Sequence, residues 1–218
     1  MNKVLLIDIC GTLYRSNTTF DFLRYYFASD SYYSKILRFM SCKYILFLNS
    51  LLFKYFRKDF IRTFALYVLK DISYNTISKM VEDFYREYLC MKKNELVFDL
   101  IEKYRKKGYR LILVSATIEP IAKCIAKHLD IGEYLATTLE IINHNYTGRI
   151  NKDLLGNKYE HLRSLGIEDF VIVTDNYSDI DLIKNAEFSY LIQYGNRKNK
   201  WVRLLSKNMN FNYININV

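Results

Sequence analysis

The spacing of apolar residues changes character along the chain. Lys3-Val4-Leu5-Leu6-Ile7 is a short apolar run that predicts a buried strand over residues 3–9. From residue 18 to about 91 the period is helical. Phe22, Tyr25 and Tyr26, then Ile36, Leu37 and Met40, then Ile61, Phe64, Ala65 and Val68 recur three and four residues apart. Several helices packed on one another are expected there. Thr18 is placed as the first N-cap, with Asp21 three residues on in a capping-box-like position.

From about residue 94, helical and strand patterns alternate. Glu95 to Lys107 predicts a helix stopped by Gly108. Tyr109 to Val114 predicts a strand ending in Ser115-Ala116-Thr117. Pro120 fits the first turn of a helix running to about Leu129. Tyr134 to Ile142 and Tyr146 to Ile150 predict two strands around a polar turn, His144-Asn145. Lys158 to Ser164 is helical and stops at Gly166, and Phe170 to Thr174 is a strand ending at Asp175. A further strand runs from Ala186-Glu187-Phe188 to Gln193. The tail holds a short basic helix near Trp201 and an edge strand, Phe211 to Ile216.

Alternation of this kind implies an α/β fold with a Rossmann-like parallel sheet. The helical stretch falls between the first two strands, so it is an all-helical insertion placed to cover the carboxyl edge of the sheet. The expected division is 1–15 and 94–218 for the α/β core and 16–93 for the helical cap. Three strands end at that edge in polar groups, Asp8, Ser115 and Asp175. Open α/β sheets bind their ligands at this edge.

Composition narrows the function. The net charge of +9 and a pI of about 9.2 suit anionic partners. No long Lys/Arg block exists, so a basic solvated surface is preferred over a nucleic-acid module built on Arg197, Lys198, Lys200, Arg203 and Lys207. The 20 Tyr and 14 Phe concentrate between residues 20 and 90, where they read as core before pocket. An alternative use is a cap facing a membrane and admitting a lipid phosphate, which a continuous exposed apolar patch would favour. Cys10, Cys42, Cys90 and Cys124 form no CxxC pair, so neither a zinc site nor a disulfide framework is indicated. His128, His144 and His161 read as surface or structural. The N-terminus lacks signal-peptide character, and the most apolar stretch, Tyr44 to Phe53, falls well short of the ~20 residues of a membrane span. A cytoplasmic protein is expected.

Asp8-Ile9-Cys10-Gly11-Thr12 carries the chemistry. A carboxylate directly after a buried strand can attack phosphorus or hold a metal. Gly11 permits a sharp turn whose backbone N–H groups can face an anion. The same residues have plainer readings: Asp8 capping a turn, Ser115 as a turn hydroxyl, Asp175 and Asp179 as helix N-terminal acids. Lys158, which opens a helix after Gly156, is preferred as the site lysine over Lys152.

Four stations in order resemble the haloacid dehalogenase-like phosphatase superfamily, in its phosphoserine-phosphatase-like branch with a helical cap. They are Asp8-Ile9-Cys10-Gly11-Thr12-Leu13, Leu111-Ile112-Leu113-Val114-Ser115-Ala116-Thr117, Lys158 after a hairpin ending Tyr146-Thr147-Gly148, and Asp175-Asn176-Tyr177-Ser178-Asp179. The resemblance implies a Mg²⁺-dependent phosphatase or phosphotransferase acting on a small phosphorylated metabolite through an aspartyl-phosphate on Asp8. It implies Mg²⁺ held by Asp8, the Cys10 carbonyl and Asp175, with Asp179 binding the metal or orienting its waters. Ser115, the Ala116 N–H and Lys158 would hold the phosphoryl oxygens, beside the turn at Gly11 and Thr12.

Cys10 departs from the pattern. The family's phosphatases usually carry a second Asp there, which protonates the leaving oxygen and later activates water. A thiol is a poor substitute. The departure leaves a slow phosphatase, a phosphotransferase or a phosphate-binding regulatory protein as readings.

Overall fold

The protein is described by a computed structural model covering residues 3–27, 29, 33–35, 38, 42–56, 59–195, 201, 205 and 209–216. Ile36, Leu37 and Met40, the cations Arg197, Lys198, Lys200, Arg203 and Lys207, and most of the expected basic helix around Trp201 lie outside the described residues.

Strand β1 (Val4–Ile7) sits at the centre of a seven-stranded sheet. Around it lie β2 (Arg110–Ile118), β3 (Glu133–Ile142), β4 (Asn145–Lys152), β5 (Phe170–Thr174), β6 (Phe188–Tyr194) and β7 (Phe211–Ile216), in the order β4-β3-β2-β1-β5-β6-β7. Every neighbouring pair is parallel except β3 with β4, which form a hairpin. The fold is α/β and Rossmann-like.

Central strands alternate between two cores, as period two requires when helices cover both faces. Leu5, Ile7, Leu113, Val171 and Val173 join one apolar cluster, and Val4, Leu6, Ile112, Val114, Phe170 and Ile172 join the other. Helices α5 (Glu95–Lys106) and α6 (Glu119–His128) lie in the core between β1 and β3, with α7 (Lys158–Ser164) and α8 (Ile180–Asn185) further on.

Among the described residues of 18–92 the elements are helical: α1 (Thr18–Phe27), α2 (Lys43–Phe56), α3 (Phe60–Leu66), α4 (Tyr74–Glu87) and short 3₁₀ turns at Tyr67–Leu69 and Leu89–Lys92. Asp59 caps α3 by accepting from the Arg62 N–H, and Ser73 caps α4 by accepting from Thr76. The chain leaves and returns side by side. Arg15 N–H donates to the Lys92 carbonyl at 2.7 Å and Asn94 N–H to Leu13 at 3.1 Å. A second tie runs to the β3–β4 hairpin, where Asp71 and Tyr74 N–H donate to the carbonyls of Tyr146 and His144. Gly148 permits this closeness, since a Cβ there would stand 3.0 Å from the Tyr67 Cα.

The structure corrects three local expectations. The hairpin turn is Asn143-His144, both at positive φ (50° and 65°), and Asn145 already begins β4. Paired left-handed residues match the strand twist, which a turn shifted by one would not. Strand β2 does not end at Val114 but continues to Ile118, through an irregularity in its pairing with β3. Thr18 lies inside α1, and its hydroxyl contacts Cys10 and Thr117 side chains. Asp21 accepts from the Ser16 hydroxyl at 2.6 Å.

One polar cluster ties α4 to α6. Glu82 accepts from Arg86 and from the Cys124 thiol and lies 2.8 Å from His128 Nε2, while Tyr85 stacks on the His128 ring. Burial alone would push the Glu82 carboxyl up, but the bonds from His128, Cys124 and Arg86 hold it below its usual value. A carboxyl held low stabilises the fold above its unfolded-state pKa and loses that contribution as pH falls through its folded value. Glu82→Gln should therefore lower the melting temperature by about 2–4 °C at pH 7. The difference should close as the pH drops below the ordinary carboxylate range, in thermal melts of both proteins across pH.

Candidate active site

Strand register builds the site. Ile7 is level with Leu113 on β2 and Val173 on β5, so the chain past each strand emerges at one edge. Asp8 N–H still donates to the Val173 carbonyl at 3.0 Å, which fixes the first carboxylate against β5. Ser115 lies in the irregular part of β2, where four residues advance against two of β3, and is buried. Asp175 follows β5, and Asp179 closes the 3₁₀ turn Tyr177–Asp179.

Lys158, the first residue of α7, is buried between two carboxylates. Its Nζ lies 2.8 Å from Asp8 Oδ1 and 2.8 Å from Asp179 Oδ2. Burial pulls the ammonium's pKa down, but the charges of Asp179 and Asp8 outweigh this and raise it, so Lys158 stays charged. Lys152, the other lysine considered, is exposed on β4. Asp179 also accepts from the Thr174 hydroxyl at 2.8 Å.

Thr12 links the remaining acids. Its hydroxyl lies 3.2 Å from Asp8 Oδ2 and 3.0 Å from Asp175 Oδ1, and it accepts from the Asp175 N–H at 2.9 Å. Two carboxylates are thereby held around one hydroxyl, close enough to share a cation. Gly11 is at φ +72°, and a Cβ there would lie 2.3 Å from Asp175 Oδ2, so no other residue fits beside this acid. The N–H groups expected to face an anion are spent inside the turn. Gly11 N–H donates to Ser16 at 3.1 Å and Thr12 N–H points to Ile9 at 3.4 Å, because the loop folds back on itself to reach α1.

Three carboxylates face one buried ammonium, so the site is short of positive charge. Burial first, and then the Asp8 charge, raise Asp175 to about 7, and burial raises Asp179. Converging carboxylate oxygens of this kind suit a hard divalent cation such as Mg²⁺. The Cys10 side chain lies 3.0 Å from the Thr18 hydroxyl and takes a long contact, 3.8 Å, from Ser115. Burial and the neighbouring Asp8 charge push its thiol up, so it remains protonated at neutral pH.

Several contributors were not visible in the sequence. Arg62 on α3 is buried, donates to the Ala116 carbonyl at 2.8 Å and pairs with Asp153. It lies within an aromatic stretch, and only the helix register shows that it points inward. Tyr194 on β6 donates to the Gly11 carbonyl, and Thr18 meets Thr117 at 2.7 Å. Thr174 had a signal, being the strand-end residue directly before Asp175. Beside the acids opens a cavity of about 490 Å³ lined by Cys10, Gly11, Arg15, Asn17, Asp175 and Tyr194, among others.

A family model described as haloacid dehalogenase-like hydrolase matches residues 5–184. The chain belongs to that family and is a hydrolase of this class. Its fold is shared with a protein of unknown function from Bordetella pertussis Tohama I, at TM-score 0.68 and 19% identity over 88% of this chain and 90% of that one. A substrate-bound phosphoserine phosphatase matches at TM-score 0.59 and 20% identity, covering 88% and 86%. A phosphoserine phosphohydrolase-like protein from Francisella tularensis subsp. tularensis SCHU S4 matches at 0.60 and 13%, covering 88% and 87%. No curated protein matches the sequence.

The ion triad makes a direct prediction. Lys158→Met leaves Asp8 and Asp179 buried without their cation, which should cost about 3–5 kcal/mol. Urea unfolding in the presence of a chelator measures this, and an unchanged midpoint would show that the triad is not a structural requirement.

Proposed function

We propose that this protein is a Mg²⁺-dependent phosphomonoester hydrolase or phosphotransferase acting on a small phosphorylated metabolite, with Asp8 as the nucleophile. One observation carries the reading: Asp8 is held by a buried lysine at the edge where β1 and β5 end, beside a second acid, Asp175, on the same threonine hydroxyl. Asp8, the Cys10 carbonyl and Asp175 would hold the metal, with Asp179 behind them. When bound, Mg²⁺ would offset the negative charge of the phosphoryl group and of the acids around it.

The chain's own residues divide the remaining work. Asp8 donates an electron pair to phosphorus, the bond to the leaving oxygen breaks with its pair, and an aspartyl-phosphate forms. Lys158 orients Asp8 and offsets charge on the transferring group. The Ser115 hydroxyl and the Ala116 N–H hold phosphoryl oxygens. Residues 16–93 act as a cap that closes over the site and restricts water. The cavity beside Asp175 has the dimensions of a small-molecule site.

Cys10 favours slow turnover. A thiol kept protonated by burial cannot take a proton from water, so hydrolysis of the aspartyl-phosphate lacks its usual base. The same fact supports a second reading, a phosphate-binding regulatory protein that keeps the acids without appreciable turnover.

A screen of phosphorylated metabolites with Mg²⁺ separates these. The wild type should hydrolyse at least one phosphomonoester, and Asp8→Asn should abolish that activity. Cys10→Asp should raise hydrolysis of an aryl phosphate by about tenfold or more, with larger gains for poor leaving groups. A folded, Mg²⁺-binding Cys10→Asp protein that is no faster on any substrate would remove the missing acid as the cause of slow turnover.

A further inference from the structure

Helix α2 presents its apolar face outward. Tyr44, Phe47, Leu48, Leu51 and Tyr55 recur at three- and four-residue spacing and form one stripe. In α4 the same spacing buries Ile77, Val81 and Phe84. In α2 it does the opposite: Tyr44 is 85% exposed, Tyr55 77% and Phe47 65%. The stripe continues into Phe60, Phe64 and Tyr67, which are also exposed. Between α2, α3 and the Gly148-Arg149 step of β4 lies an open apolar cavity of about 550 Å³. Scattered apolar side chains on a surface need no explanation, but a contiguous patch of this size marks an interaction face.

The sequence of this segment is one-sided in charge, and the acid between α2 and α3, Asp59, is taken up by the Asn49 amide and the Arg62 N–H. Between Asp30 and Asp59 the sequence has no carboxylate and six cations, Lys35, Arg38, Lys43, Lys54, Arg57 and Lys58. Lys43 begins α2 and is exposed, Arg149 lines the cavity, and the Lys70 ammonium lies 5.6 Å from the Tyr67 ring centre. Each candidate occupant meets this arrangement differently. A second copy of the same face would set cations against cations. A nucleic acid would use the charge and leave the apolar stripe wet. An anionic bilayer satisfies both, because apolar side chains enter the acyl boundary while cations stay among the headgroups. No described helix is long and apolar enough to cross a membrane, and α2 has 14 residues.

We propose that the α2–α3 face docks on an anionic lipid surface, with α2 lying in the plane of the headgroups. The docked face and the candidate site share a helix. Arg62 sits between the cavity-lining Ile61 and Thr63 and donates to the Ala116 carbonyl at the site. The proposal does not depend on the assigned reaction, since it concerns residues outside the site.

Vesicle flotation with the full chain tests it. One set of vesicles is phosphatidylcholine, the other contains about 30% phosphatidylserine. At low salt the wild type should float with the anionic vesicles, bind phosphatidylcholine at least about tenfold more weakly, and be released as salt rises. The double variant Tyr44→Ser/Phe47→Ser should lose at least about tenfold in affinity. Its circular dichroism and melting temperature should match the wild type, since both side chains are exposed. Lys43→Glu, which leaves the stripe intact, should weaken binding to anionic vesicles alone. Failure of the wild type to bind anionic vesicles at low salt would overturn the proposal. So would full binding by the double variant, which would mean charge alone is read. A dimer in sedimentation velocity that Tyr44→Ser/Phe47→Ser abolishes, without vesicle binding, would instead assign the face to a second copy.

Discussion

The buried ammonium of Lys158 is the constraint around which the rest of the site is arranged. A lysine that far from water is tolerable only between opposite charges, and Asp8 and Asp179 each stand 2.8 Å away. Meeting that condition requires three remote pieces of chain to arrive together: the end of β1, the first residue of α7 and the 3₁₀ turn after β5. Parallel pairing of β1 with β5 brings two of them level, and α7 supplies the third from a long sequence distance. The sheet therefore serves as a device for bringing like charges close, and the lysine makes their closeness stable.

A cluster with more acid than base is poised for a cation. Asp175 is the acid that Lys158 does not bond, and burial first, then the Asp8 charge, raise its pKa. Gly11 completes the arrangement by leaving empty the place where a side chain would collide with Asp175. Cys10 is the exception. Its thiol occupies the position between α1 and β2 that could bring a proton-transferring group to the reacting oxygen, and it is held there by Thr18 and Ser115. In the proposed reaction, the site would keep the parts that bind and polarise and lack an efficient proton carrier.

The sequence disclosed the fold well where periodicity and punctuation agreed. Strand Phe170–Thr174, helix Lys158–Ser164 and edge strand Phe211–Ile216 follow from apolar runs bounded by Gly166, Gly156 or polar residues. Local pattern was silent where tertiary pairing decides. Strand β2 runs on through Ser115-Ala116-Thr117 because β3 lies beside it, and no residue in that segment announces the irregular register. The closeness of Asp8 and Asp175 was legible because each follows an apolar strand, whereas Ser115 lies within β2. Arg62 was not legible, since an inward arginine and an outward one look alike within a short helix of mixed apolar residues. The outward stripe of α2 was hidden for the same reason: periodicity locates an apolar face and says nothing of what it faces.

The attachments of the helical segment have a mechanical consequence. A body joined to its base only through the paired chain crossings at Tyr14 and Lys93 could swing like a door. This one is pinned a second time, where Asp71 and Tyr74 bond to the β3–β4 hairpin and Gly148 lets the Tyr67 backbone sit against β4. Arg62 adds bonds to the Ala116 carbonyl and to Asp153, and Glu82 adds bonds to Cys124 and His128, so the segment is fastened along its length. A body fastened at several separate points keeps its register with its base, which holds the Thr18 hydroxyl 3.0 Å from the Cys10 sulfur.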